Sequence, residues 1–135
     1  MVHHIRQPTK YIAVSIILAI LTSCGAVSRK SPRDIHKIIT NPDMHQNIVI
    51  VDIRSSSKYA DGHIPGAIHI PFRSKNFDEL LYAYRDTPVL ILYCGRGLKT
   101  EKAAQIAKES GFTQIFILEG GLSSWKDRGL PVTSD

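Results

Sequence analysis

The sequence predicts an α/β domain: an open, mainly parallel sheet flanked by helices on both faces. Two runs carry this reading, Asn47-Ile-Val-Ile-Val-Asp52 and Pro88-Val-Leu-Ile-Leu-Tyr93. Both are continuously apolar, as central strands covered on two sides must be. The third observation is that helix-spaced segments alternate with strand-like runs along the chain. That order favours parallel crossover connections over hairpins.

The chain opens differently. Arg6 and Lys10 precede Tyr11-Ile-Ala-Val-Ser-Ile-Ile-Leu-Ala-Ile-Leu21, an apolar run of 11 residues. That is shorter than the roughly 18 to 20 residues needed to span a bilayer, and it fits the apolar core of an export signal better than a transmembrane anchor. Leu21-Thr22-Ser23-Cys24 resembles the lipobox of bacterial lipoprotein precursors. The resemblance implies a signal peptide over 1–23, lipidation of Cys24, attachment to a membrane through it, and a domain facing the periplasm. Gly25 stands where an aspartate is associated with inner-membrane retention, so outer-membrane sorting is favoured. Residues 24–30 read as a short tether, and the domain is expected over 31–135.

Within the domain, Ser31-Pro32-Arg33-Asp34 opens a helix. Ser31 serves as N-cap, Pro32 lies in the first turn, and Asp34 stands three residues after the cap. Ile35, Ile38 and Ile39 continue it to the break at Asn41-Pro42. After the first central strand come a short helix (Ser56 to Ala60), a turn-rich segment from Asp61 to Gly66, and a strand over Ala67 to Ile70. Phe77 to Tyr84 has helical spacing. Beyond the second central strand, Thr100 to Ser110 reads as a helix ended by Gly111. Gln114 to Leu118 reads as a strand, and Leu122 to Asp127 as a last short helix.

Composition narrows function. The chain has a formal charge of +5, two units of which (Arg6 and Lys10) leave with the signal. The remaining basic residues are scattered without interleaved aromatics, which argues against nucleic acid as a partner. His36, His45 and His69 show no metal-ligand spacing with cysteine or with one another, so no metal is expected.

Chemistry concentrates in Tyr93-Cys94-Gly95-Arg96-Gly97-Leu98-Lys99-Thr100, where a strand-like run ends and a helix-like run begins. The opening amides of a helix carry partial positive charge and lack internal partners. Gly95 and Gly97 let the loop curl so that successive N–H groups form an anion nest. Arg96 and Lys99 add full charges. Together they should favour a thiolate on Cys94 and hold it as a nucleophile. In an oxidising compartment paired thiols tend to become disulfides. Lipidation of Cys24 would leave Cys94 without an intramolecular partner, whereas a Cys24–Cys94 disulfide would leave the lipobox-like run unexplained. Thr100 reads as the N-cap of the following helix.

Four segments occur together: Val51-Asp-Ile-Arg54, Tyr59-Ala-Asp-Gly-His-Ile-Pro-Gly-Ala-Ile-His-Ile-Pro71, the Cys94 loop, and Glu119-Gly-Gly-Leu-Ser-Ser-Trp-Lys-Asp-Arg-Gly-Leu-Pro-Val132. In order and spacing they resemble the rhodanese (thiosulfate sulfurtransferase) homology domain, from about Ser31 to Val132. The nearest kind of member is the small, exported, single-domain sulfurtransferase, such as the phage-shock rhodaneses. The resemblance implies a rhodanese-like sheet and a catalytic Cys94 thiolate that takes the outer sulfur of thiosulfate or a similar sulfane donor. Cyanide or a thiol would accept that sulfur from a covalent cysteine persulfide, with no other cofactor. Gly95, Arg96, Gly97, Leu98 and Lys99 become substrate-binding candidates, and Lys58 aligns with a position where some two-domain members place a substrate-binding arginine.

Asp52 and Arg54 read as supports for the loop after the first strand, and His63 as a backbone hydrogen-bond partner within its turn. Trp125 reads as packing. Lys99-Thr100 departs from the arginine and serine of many single-domain members; lysine keeps the charge and loses the bidentate fork. Two other classes share the fold's logic. The phosphatase and arsenate-reductase branch has a loop one residue longer, with an arginine six positions after the cysteine, where this chain has Thr100. In a non-catalytic sulfur-carrier or protein-interaction module the persulfide would be handed to a partner or never form. The intact Cys94 argues against a dead domain, and the sequence does not separate a free-standing enzyme from a carrier that works with a partner protein.

Overall fold

A computed structural model describes residues 25–135. The expected signal segment 1–23 and Cys24 lie outside the described residues. Among the described residues no helix is long and apolar enough to cross a membrane.

Five strands form one sheet in which every pairing is parallel, in the order β1-β5-β4-β2-β3. They are β1 (Ala26–Lys30), β2 (Ile48–Asp52), β3 (Ile68–His69), β4 (Val89–Tyr93) and β5 (Gln114–Leu118). The helices are α1 (Pro32–Ile39), α2 (Ser56–Asp61), α3 (Phe77–Tyr82), α4 (Thr100–Glu109) and α5 (Gly121–Asp127), with a 3₁₀ turn over Pro42–Asn47.

Side-chain alternation along the central strands divides the core in two. Val49, Val51, Leu90, Leu92, Ile115 and Ile117 pack with Phe77 and Leu81 of α3 and the alanines of α4. Ile50, Ile91, Tyr93 and Leu118 face the other way, against Ile35 of α1 and Leu122 and Trp125 of α5. Both faces are covered, which is why these strands read as unbroken apolar runs. The N-terminus of α1 is built as its residues suggest: the Ser31 hydroxyl accepts from the Asp34 amide, and proline occupies the first turn.

Two expectations need correction here. Residues 26–30 are not a tether: they form β1, paired along its whole length with β5. The segment is polar and largely exposed, because an edge strand presents one side to solvent and basic residues such as Arg29 and Lys30 discourage further pairing. Gly25 permits the close approach that starts the strand, since a Cβ there would meet the Phe112 carbonyl oxygen at 2.2 Å. The strand expected over Ala67 to Ile70 is shorter, Ile68–His69. Backbone bonding continues past it, however, through Ile70 to the Asp52 carbonyl and Phe72 to the Ile53 carbonyl.

If β1 is a structural strand, deleting residues 26–30 should lower unfolding free energy by at least about 2 kcal/mol, at roughly 1 kcal/mol net per lost hydrogen bond. Denaturant titration of the truncated and intact proteins reads this directly, and an unchanged midpoint would restore the tether.

Candidate functional site

Cys94 follows β4 directly, at the carboxyl end of a central strand, the end where open parallel sheets place their ligands. Its sulfur accepts a hydrogen bond from the Gly97 amide at 3.0 Å. Gly97 adopts φ +83°, which turns that amide inward and which a side chain would resist. The Thr100 hydroxyl donates to the Gly97 carbonyl at 3.0 Å and clasps the loop.

That bond corrects the expected role of Thr100. The position before α4 is held by Lys99, whose backbone is already helical and whose side chain makes no capping bond. Thr100 is therefore inside the first turn, fully buried, and its hydroxyl serves the loop behind it.

α5 holds the loop from the other side. The Leu122 amide donates to the Cys94 carbonyl at 2.8 Å, and the Ser123 amide to the Gly95 carbonyl at 3.0 Å. Backbones come this close because residue 121 is glycine: a Cβ there would stand 2.4 Å from the Cys94 carbonyl oxygen, and its φ is +61°. The Glu119-Gly-Gly-Leu segment thus seats the loop.

The thiol, 5 % exposed, lies at a cleft of about 880 Å³, a size suited to small-molecule ligands. Gly95, Arg96, Leu98 and Lys99 line it from the loop, Lys58 from α2, and Ser123 from α5. Gly97 acts on the sulfur through its amide and is not part of the lining. Leu98 is 83 % exposed at the mouth. Arg54 also faces the cleft, as do Phe72 and Arg73 beyond β3.

Sequence reasoning missed Arg73. The available signal was position, since the segment after a parallel strand opens on the same end as Cys94. Every charged residue lining the cleft is basic. Among the described residues, Lys58, Arg73, Arg96 and Lys99 make no ion pair.

Arg54 is held differently. Its Nε donates to both Asp52 oxygens at 2.9 and 3.0 Å, and its Nη2 donates to Asp52 Oδ2 and to the Gly62 carbonyl, each at 2.6 Å. Burial opposes the Arg54 charge, but the hydrogen bonds and charge of Asp52 outweigh it and hold the guanidinium above its ordinary value. The turn that supplies the Gly62 carbonyl is itself braced. Nδ1 of His63 bonds the Tyr59 carbonyl at 2.8 Å, the Tyr59 hydroxyl donates to the Ala67 carbonyl, and the two rings stack.

Tyr93 joins this cluster from β4, its hydroxyl accepting from the Ile64 amide at 3.0 Å. Burial, reinforced by the negative charge of Asp52, pushes the Tyr93 phenol far above the ordinary tyrosine range. Trp125 is fully buried and donates to the Pro131 carbonyl at 2.8 Å. Among the described residues no group of three or more His, Cys, Asp and Glu side chains could hold a metal.

The Gly121→Ala substitution should destabilise by more than the ~1–2 kcal/mol of the left-handed backbone alone, because its methyl would enter the Cys94 carbonyl. Thermal unfolding of the variant tests this, and a melting temperature equal to wild type would remove the close-approach argument.

Tyr93 also predicts an alkaline limit. A phenol held neutral in the fold contributes fully below its unfolded value of 10.0. Above that pH, stability should fall by about 1.4 kcal/mol per unit. Tyr93→Phe should lose about 1–3 kcal/mol at neutral pH by orphaning the Ile64 amide, and should flatten the alkaline fall. Unfolding free energies between pH 8 and 11 compare the two proteins.

A family model, the Rhodanese-like domain, matches residues 31–128. The chain is 28 % identical to the protein YibN of Escherichia coli strain K12, over 94 % of this chain and 91 % of that one. It is 34 % identical to the thiosulfate sulfurtransferase GlpE of Coxiella burnetii, over 60 % of this chain and 74 % of the relative. The crystal structure of a thiosulfate sulfurtransferase from Pseudomonas aeruginosa superposes with a TM-score of 0.68 at 25 % identity, covering 82 % of this chain and 20 % of that one.

Proposed function

The chain belongs to the Rhodanese-like domain family, and we propose that it is a sulfurtransferase that carries sulfane sulfur on Cys94. The carrying observation is the placement of that thiol: it receives an amide hydrogen bond and opens into a cleft whose charged residues are all basic. Similarity to a protein named thiosulfate sulfurtransferase supports the same reading.

The Cys94 thiolate attacks the outer sulfur of thiosulfate. A new S–S bond forms, the donor's S–S bond breaks, and its electron pair leaves with sulfite. Cys94 is now a persulfide anion. Cyanide, or a thiolate acceptor, then attacks the terminal sulfur and leaves as thiocyanate or a new persulfide, regenerating the Cys94 thiolate. The proteins and small molecules exchange sulfur in two displacements, with no external oxidant or reductant.

Named residues have distinct tasks in this scheme. The Gly97 amide stabilises negative charge on Cys94 Sγ in the thiolate, before sulfur arrives and again when the acceptor has taken it. Arg96 and Lys99, on the loop itself, receive the dianionic donor, and Lys58 and Arg73 face it across the cleft. Asp52 keeps Arg54 fixed beneath them. Phosphate-ester or arsenate chemistry is less well served, because the loop offers Lys99 and Thr100 where a bidentate arginine is needed to grip a tetrahedral anion. The same proposal includes lipidation of Cys24, with the domain attached to a bacterial membrane, facing the periplasm, and sorted to the outer membrane.

Intact mass after incubation with thiosulfate tests the chemistry. A gain of about 32 Da, one sulfur on a reactive thiol, is expected in the wild type and reversed by cyanide. Cys94→Ser should show none. Arg96→Ala should slow adduct formation tenfold or more, taking about 1.4 kcal/mol per factor of ten as the least a cationic contact contributes in the transition state. A folded protein with a free thiol and no adduct would remove thiosulfate as donor.

A further inference from the structure

Both the entry point of the chain and the reactive thiol have fixed positions, and they lie at opposite ends of the sheet. Ala26, Gln114, Val89 and Ile48 pair across the four longer strands and form the row at their amino ends. Cys94 follows the carboxyl end of β4. Five residues at about 3.3 Å each separate it from Val89, or ~17 Å.

Gly25 is buried against the Phe112 carbonyl, and the Ala26 amide donates to the Thr113 carbonyl at 2.9 Å. Cys24 is one peptide unit further, about 3.8 Å between Cα atoms. With β1 in place of a tether, Gly25 is the one residue between the proposed acyl-bearing Cys24 and the first strand.

The same end carries two exposed tyrosines. Tyr82, at the end of α3, is 48 % exposed and Tyr84, on the segment leading into β4, is 38 % exposed. The Arg85 guanidinium lies 4.0 Å from the Tyr82 ring centroid. Lys108, in the last turn of α4, borders Gly25. Their charges are balanced by Asp86 and Glu109 beside them. The exposed turn over Pro42–Asn47 that leads into Ile48 adds Asp43 and neutral polar groups. This end is therefore not cationic, and Tyr82 and Tyr84 are its exposed tyrosines. Tyrosine with a flanking basic residue is the composition favoured at a membrane–water boundary.

We propose that this end of the domain, which carries Tyr82, Tyr84 and Arg85 as well as Gly25, rests on the phospholipid surface and points the Cys94 cleft away from it. The inference rests on the lipid-anchor part of the proposed function. Its consequence is that donor and acceptor reach Cys94 from the aqueous side, with lipid-embedded thiols excluded.

Spin labels on introduced cysteines test it. The full chain with Cys94→Ser, and either Tyr84→Cys or Leu98→Cys, is processed in cells and reconstituted into vesicles of phosphatidylethanolamine and phosphatidylglycerol. Relaxation by lipid-soluble oxygen and by an aqueous nickel chelate is then compared. The expected result is a severalfold higher oxygen-to-nickel ratio at position 84 than at position 98. Equal ratios in protein that floats with the vesicles would overturn the membrane-facing end and leave the anchor intact. A chain that fails to float, with no acyl mass on Cys24, would overturn the anchor and this orientation together, while the thiosulfate adduct on wild-type protein would still stand.

Discussion

The contact between the start of α5 and the Cys94–Gly95 backbone is the constraint on which the site depends. Two amides of α5 meet two carbonyls of the loop, and residue 121 must be glycine for the strands of backbone to approach so closely. Once those carbonyls are held, the remaining freedom of the loop lies between Gly95 and Lys99. Gly97 and Thr100 remove it, one by turning an amide onto the sulfur and the other by tying the Gly97 carbonyl to the first turn of α4. The Cys94 thiol is thus positioned almost wholly by backbone. Backbone dipoles need no side-chain ordering at the moment of reaction, which is the condition under which fixed donors stabilise charge most effectively.

A second, polar layer sits under the cleft. Asp52 and Arg54 are bound by three side-chain hydrogen bonds and by the Gly62 carbonyl, while Tyr93 meets the Ile64 amide nearby. Replacing such a pair by apolar residues often costs nothing in stability, so stability alone does not account for it. What the pair does here is geometric. It locks the strand end of β2 to the Asp61–Gly66 turn, and it keeps a guanidinium at the cleft without leaving that cation uncompensated. The free positive charge of the cleft consequently comes from Lys58, Arg73, Arg96 and Lys99, all on its exposed wall.

Much of this architecture was legible in the chain because burial leaves a mark. β2, β4 and β5 are covered on both faces and appear as apolar runs; α1 has a serine cap and a first-turn proline. The placement of the Cys94 loop was legible for a related reason, since two glycines and two cations around a thiol between a strand-like and a helix-like run mark a turn that curls amides inward at a strand's end. β1 was not legible. Its residues are mostly exposed, its identity as a strand comes from pairing with β5, and no local pattern encodes a partner more than eighty residues away. Arg73 was hidden similarly, its place beside Cys94 being set by the order of strands. Thr100 was misread by one position because a cap and a first-turn residue differ only in backbone angle, which residue type does not report.

Lysine at position 99 has a bearing on the proposed sulfur transfer. The first displacement must accept one dianion and release another, so a site that binds anions too firmly would retain sulfite. An arginine fork holds its anion through two directed bonds, whereas an ammonium acts as a hydrated point charge without fixed direction. Lys99 and Lys58 are both exposed to solvent, where Coulomb attraction is strongly screened. The strongest and most directional stabilisation in the cleft is therefore the short-range one, from the Gly97 amide to Cys94 Sγ. It acts on the atom that carries charge as thiolate and passes that charge to the sulfur added beside it. The surrounding cations raise the local concentration of donor, and the backbone discriminates between the states of the reacting sulfur. A cleft so divided favours turnover, because the group that binds the reaction's moving charge is not the group that must let the product go.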